Sequence, residues 1–214
     1  SVLRDIVEQF SHAEDPEYEG HRLLELYAAQ VAAALRPAFA ADCPPHLTAA
    51  ACDVVVTFIG KTVTAEVSAL SKVTMLLTNS IESVETLSFP AYSERASTMV
   101  QLAILGALAK LHAFSMEGEV ATVLRDLLAP SLPQLRLLWV SLLRDFAILS
   151  TQTLYTQKAY KGAFYSFSSI AFVLDYYKSI WREVLLASAS LVTSSQAWVV
   201  QDSRAVAGEA ATKS

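Results

Sequence analysis

Apolar residues recur along this chain at helical spacing. Leu47, Ala50, Ala51, Val54, Val55 and Phe58 fall at i, i+3, i+4, i+7, i+8 and i+11, a broad apolar stripe along one helix. Pro44 and Pro45 stand at its start. A missing N–H costs nothing in a first turn, Asp42 or Cys43 can cap it, and Gly60 is expected to end the helix in the left-handed conformation. Pro90 precedes a second stripe through Met99, Leu102, Ala103, Leu105 and Leu108. Pro133 opens a third, with Leu135, Leu138, Trp139, Leu142, Leu143 and Phe146.

From Pro45 to Pro90 to Pro133 the spacing is 45 and then 43 residues, inside the roughly 40–47 residues of HEAT and armadillo units. Each proline is therefore expected to restart the chain on the first helix of a new hairpin. Residues 65–86, 119–128 and 182–200 are expected to supply second helices, and residues 150–164, polar and containing Gly162, a long loop. The run "DVVVTF" is β-branched but does not alternate, so it stays helical. The pattern predicts an all-α fold: an α-solenoid of HEAT/armadillo-like antiparallel helix pairs. One segment of four or five hairpins spans residues 1–203, followed by a polar, flexible tail at 204–214.

Composition alters this picture in one respect. Hydrophobic residues make up 53% and charged residues 17% of the chain, more apolar and less charged than a typical soluble domain. Such an excess suits a slice of a longer repeat protein, whose ends are covered by neighbouring units. The apolar stripe Val2, Leu3, Ile6, Val7 and Phe10 and the apolar residues of 184–200 are accordingly expected to contact flanking repeats or a second copy. Residues 184–201 form the longest uncharged run, but Ser188, Ser190, Thr193 and Ser194 mark it as a buried solenoid helix rather than a membrane span.

The net charge of −5 argues against general nucleic-acid binding. Acids crowd the first fifty residues, whereas the last part is mildly basic. Cys43 and Cys52 have no second pair and no histidine at ligand spacing, so buried free thiols are expected and no metal site. No phosphate-binding, dinucleotide, nucleophile-elbow or zinc-protease motif occurs. His12, His21, His46 and His112 are read as surface or helix-end residues, and no catalytic residue or cofactor is expected. The Arg144–Asp145 pair is read as a structural link between neighbouring units.

The segment that departs from the repeat carries the candidate partner-binding residues: Tyr155, Lys158, Tyr160, Lys161 and Tyr165. Aromatic rings interleaved with lysines suit an acidic or hydrophobic protein motif. The plainer reading is that these rings pack onto the solenoid.

Three stretches, "CPPHLTAAACDV" (43–54), "YSERASTMVQLAIL" (92–105) and "LPQLRLLWVSLLRDFAIL" (132–149), resemble in order the C-terminal half of the HEAT repeat-containing protein 5 family. The resemblance covers roughly residues 43–186. It implies a long non-enzymatic scaffold whose partners are the clathrin adaptor or its accessory proteins, cytoplasmic and peripheral at the trans-Golgi network and endosomes. The alternative is a HEAT interaction module from another system, nuclear transport or the helical scaffold of a large kinase.

Overall fold

The computed structural model describes residues 2–19, 22–40, 42–61, 67–85, 92–117, 120–151, 162–166 and 170–211, with side chains in the last stretch as far as Thr193. Ten α-helices occur among them: α1 (Val2–Phe10), α2 (Leu23–Leu26), α3 (Ala28–Leu35), α4 (Pro45–Lys61), α5 (Val67–Thr78), α6 (Ile81–Glu85), α7 (Glu94–Phe114), α8 (Ala121–Leu128), α9 (Leu132–Thr151) and α10 (Ile170–Ala211). No strand is found among the described residues, only an isolated bridge between Glu14 and Arg22. The fold is an all-α solenoid.

The proline-led starts are where the pattern places them. Pro45 is the first residue of α4, and the Leu47 N–H donates to the Pro44 carbonyl at 2.9 Å. Thr48 fastens this end by donating to the Ala38 carbonyl at 2.8 Å. Beyond Pro90, Ser93 caps α7, its hydroxyl accepting from the Ala96 N–H at 3.4 Å. Gly60 behaves differently from expectation: it lies inside α4, which runs on to Lys61. A Cβ at Gly60 would stand 2.8 Å from the Phe114 ring, so its role is close approach to α7, not a left-handed stop. The helix expected over 65–86 is broken at Asn79–Ser80, where the Ser80 hydroxyl donates back to the Leu76 carbonyl at 2.8 Å.

Two rows of helices form. Helices α1, α4, α7 and α10 pack side by side in that order, and α3, α5 and α8 form a second row behind them. Helix α7 sits at the centre, and Val100, Leu102, Ile104, Leu105, Leu108 and Leu111 are all buried on it. Among the described residues α7 alone is long and apolar enough to cross a membrane, yet most of it is packed inside the protein.

The third proline-led helix breaks the expected rule. Helix α9 does not follow α7 in the first row; it packs chiefly against α10, and α10 takes the place beside α7. Only the 3-10 turn Ala129–Ser131 separates α8 from α9, whereas nine residues, 36–44, precede α4. The chain returns to the first row between α9 and α10. The stacked rings of Phe146 and Trp181, 5.2 Å apart, join these two helices.

Helix α10 runs from Ile170 through the stretch 182–200 expected to stand alone and on to Ala211, so residues 204–211, expected as a flexible tail, continue a helix. Their alanine-rich sequence, "RAVAGEAA", has the propensity for it. The hydroxyls within α10 are absorbed locally: Ser188, Ser190 and Thr193 donate to the carbonyls of Val184, Ala187 and Ala189 at 2.8, 2.8 and 3.2 Å. Cys43 and Cys52 are buried free thiols, and burial pushes the Cys52 thiol far above its ordinary range.

Candidate functional site

Of the candidate partner-binding residues, Tyr155, Lys158, Tyr160 and Lys161 lie outside the described residues. Tyr165 is described, and it is no exposed loop side chain. It is 5% exposed, with its ring set edge-on to Tyr177 at 6.1 Å. Packing against α10, not display to solvent, sets its position.

The segment that carries Tyr165, residues 162–166, is clamped from three sides. Asp145, on α9 and 0% exposed, accepts through Oδ2 from the N–H groups of Ala163 (2.8 Å) and Phe164 (3.2 Å) and from the Tyr177 hydroxyl (3.0 Å). The Thr98 hydroxyl on α7 donates to the Phe164 carbonyl at 2.6 Å. Glu94, one turn earlier, accepts from the Ser166 N–H and hydroxyl, both at 2.6 Å. The Arg144–Asp145 pair is thus structural, as its sequence position suggested, and Asp145 is the linking member. Burial pushes its carboxyl above the ordinary range, opposed by the Phe164, Tyr177 and Ala163 hydrogen bonds and by the charge of Arg144.

Held at this distance, residues 162–166 and the N-terminal half of α7 enclose a cleft of about 380 Å³. Tyr92, Phe164 and Tyr165 form its apolar walls. Glu94, Ser97, Thr98 and Gln101 line the other side at i, i+3, i+4 and i+7 of α7. Gln101 is 1% exposed, and its amide nitrogen has no hydrogen-bond partner. This polar strip was visible in the sequence as four polar positions on one face of an apolar helix, but the burial of Thr98 and Gln101 could not be read there.

A model of the "Laa1/Sip1/HEATR5 HEAT repeat region" matches residues 1–148. The chain belongs to the Laa1/Sip1/HEATR5 family. Protein SWEETIE of Arabidopsis thaliana is 26% identical in an alignment that covers 69% of this chain and 7% of the relative's length. No solved structure matches. Within this Laa1/Sip1/HEATR5 chain the matched region takes in α1 to most of α9. The α7 side of the cleft therefore lies inside the HEAT region, and the 162–166 side lies beyond it.

Two other features of this HEAT region bear on chemistry. His112, expected at the surface or a helix end, lies near the end of α7 but is buried. Its Nε2 stands 3.0 Å from the Ser190 hydroxyl, which also lies 2.8 Å from the Ala187 carbonyl. Burial lowers the His112 pKa from 6.5. The native ring stays neutral where the unfolded chain takes up a proton, so stability is lost as pH falls through about 6.5, at up to ~1.4 kcal/mol per pH unit. Urea denaturation of the parent and His112→Gln across this range should show the parent's acid slope flattened in the variant. Equal slopes would mean that His112 does not titrate differently on folding.

The second feature is apolar. An open groove of about 360 Å³ between α1 and the α2–α3 pair is lined by Leu3, Ile6, Val7, Phe10, Leu24 and Tyr27. Val7 is buried, whereas Val2, Ile6 and Phe10 remain exposed. At the other end Leu185, Leu186 and Val192 of α10 are also exposed.

Proposed function

We propose that this chain is a non-catalytic scaffold segment acting in clathrin-adaptor-dependent vesicle traffic through protein–protein contacts, with peripheral recruitment to trans-Golgi and endosomal membranes. Membership of the Laa1/Sip1/HEATR5 family over residues 1–148 is the observation that supports this reading. A two-row solenoid agrees with it, since successive helices offer rows of side chains to an extended partner and need no buried catalytic group. Tyr155, Lys158, Tyr160 and Lys161 are the proposed contacts for an acidic or hydrophobic motif of the adaptor or an accessory protein. Tyr165, being buried, supports the segment that follows them. The exposed apolar ends at α1 and α10 are proposed to meet flanking repeats or a second copy, which sedimentation velocity reads as mass rising with concentration.

Affinity capture from cytosol on the immobilised chain tests the reading. Recovery of clathrin adaptor subunits is expected, and the combination Lys158→Glu, Lys161→Glu and Tyr160→Ala should weaken it with the melting temperature unchanged. Recovery of nuclear-transport cargo or kinase subunits without adaptor subunits would move the chain to a different system.

A further inference from the structure

We propose that the cleft between α7 and residues 162–166 binds a neutral, apolar peptide segment, and that the Gln101 side-chain amide anchors it by donating to a main-chain carbonyl. The inference rests on the reading of this chain as a protein-binding scaffold and names the chemistry of one partner site on it.

Gln101 carries the argument. A buried amide N–H without an acceptor costs about 1–3 kcal/mol, and native interiors leave few such groups unexplained. Here the orphan amide nitrogen is closed off from solvent but belongs to a side chain that lines a cleft, so turning the amide about its last torsion toward the cleft would give it an acceptor in whatever fills that cleft. The volume, about 380 Å³, falls in the ~300–1,000 Å³ range of small-ligand sites. It suits a side chain or two with the adjoining backbone.

The walls define the charge and polarity of the occupant. No Lys, Arg or His appears among the described lining residues, so none of these would pair with a phosphate or carboxylate. Glu94 is the sole acid among them; its charge further disfavours an anion, and both its oxygens already accept from Ser166, which fixes them at the clamp. What remains is apolar area from Tyr92, Phe164 and Tyr165, hydroxyls at Ser97 and Ser166, and the Gln101 donor. An apolar side chain with a backbone carbonyl beside it matches all three. The site is also preformed, because Asp145, Thr98 and Glu94 fix residues 163–166 against α7. Little ordering remains to be done on binding.

The test uses the full chain, labelled with ¹⁵N, and the capped peptide N-acetylleucylphenylalaninamide as probe. Titration to millimolar concentration should shift the Gln101 side-chain NH₂ resonances together with the backbone amides of Ser97 and Ser166. Gln101→Met keeps the side-chain volume and removes the donor. It should weaken the peptide by about tenfold, the worth of one such hydrogen bond, with a melting temperature equal to or above the parent's. Should that variant not fold, Ser97→Trp, placed at the partly exposed rim, blocks the cleft and should abolish the shifts. The proposal is overturned if the peptide moves no cleft resonance or if either folded variant binds as the parent does. A water that stays bound to the Gln101 NH₂ at saturating peptide would overturn it as well. Adaptor capture does not enter this titration. Peptide binding without adaptor recovery would sink the trafficking reading alone, and adaptor recovery without peptide binding would sink the cleft alone.

Discussion

Trp139→Ala should lower the free energy of unfolding by about 3–5 kcal/mol. The indole is wholly buried and joins α9 to α7. Its Nε1–H donates to the Leu105 carbonyl at 3.1 Å, and its ring lies 5.8 Å from that of His112. Truncation therefore removes transfer energy, leaves a cavity between α7 and α9 and releases a hydrogen bond inside the core. A urea titration followed by circular dichroism gives the number directly. Loss of less than about 1 kcal/mol would mean that the site collapses freely, which the close-packed contact of α7 and α9 does not allow. Because α9 is held mainly by α10, the damage should appear in hydrogen exchange of α9 and α10 before α4.

That contact also marks where sequence and structure part. The stripes on α4, α7 and α9 were legible because their apolar positions keep a 3.6-residue period over several turns, and prolines mark where they begin. Which row a helix joins is not carried by that period. Pro133 opens α9 just as Pro45 opens α4, yet α9 packs chiefly against α10 and not in the first row. Gly60 shows the same limit on a smaller scale. A glycine near the end of a stripe reads as a stop, and only the ring of Phe114 across the gap shows that it is a contact. The candidate site was partly visible. Its polar strip from Glu94 to Gln101 lies within a stretch that carried the family resemblance, but residues 162–166, which form the other side of the cleft, stand more than sixty positions later. Tyr165 was grouped with Lys158 and Lys161 by composition, and composition does not separate a ring that faces α10 from one that faces solvent.

Asp145 yields the larger expected loss. Asp145→Leu fills similar space with apolar atoms and strands two backbone N–H groups and the Tyr177 hydroxyl, all of which now end on one buried oxygen. At about 1–3 kcal/mol for each stranded donor, the variant should lose at least about 3 kcal/mol, enough to unlatch residues 162–166 and loosen α10 from α9. Asp145→Asn is milder, since its amide oxygen can still accept from these donors. It also separates hydrogen bonding from charge. Burial raises the Asp145 pKa from 3.8, so the native state keeps the carboxyl proton at pH values where the unfolded chain has released it. Stability from this group is then greatest below about 3.8 and declines as pH rises through the raised native value. The neutral asparagine has no such decline. The gap in unfolding free energy between parent and Asp145→Asn should therefore be widest in acid and narrow toward neutral pH, as read by urea denaturation at matched ionic strength. A gap that widened toward neutral pH would show that the hydrogen bonds to Oδ2 outweigh burial and that the native carboxyl titrates below 3.8. The clamp would then be an ionised one, stabilised by charge at the junction of α9, α10 and the cleft.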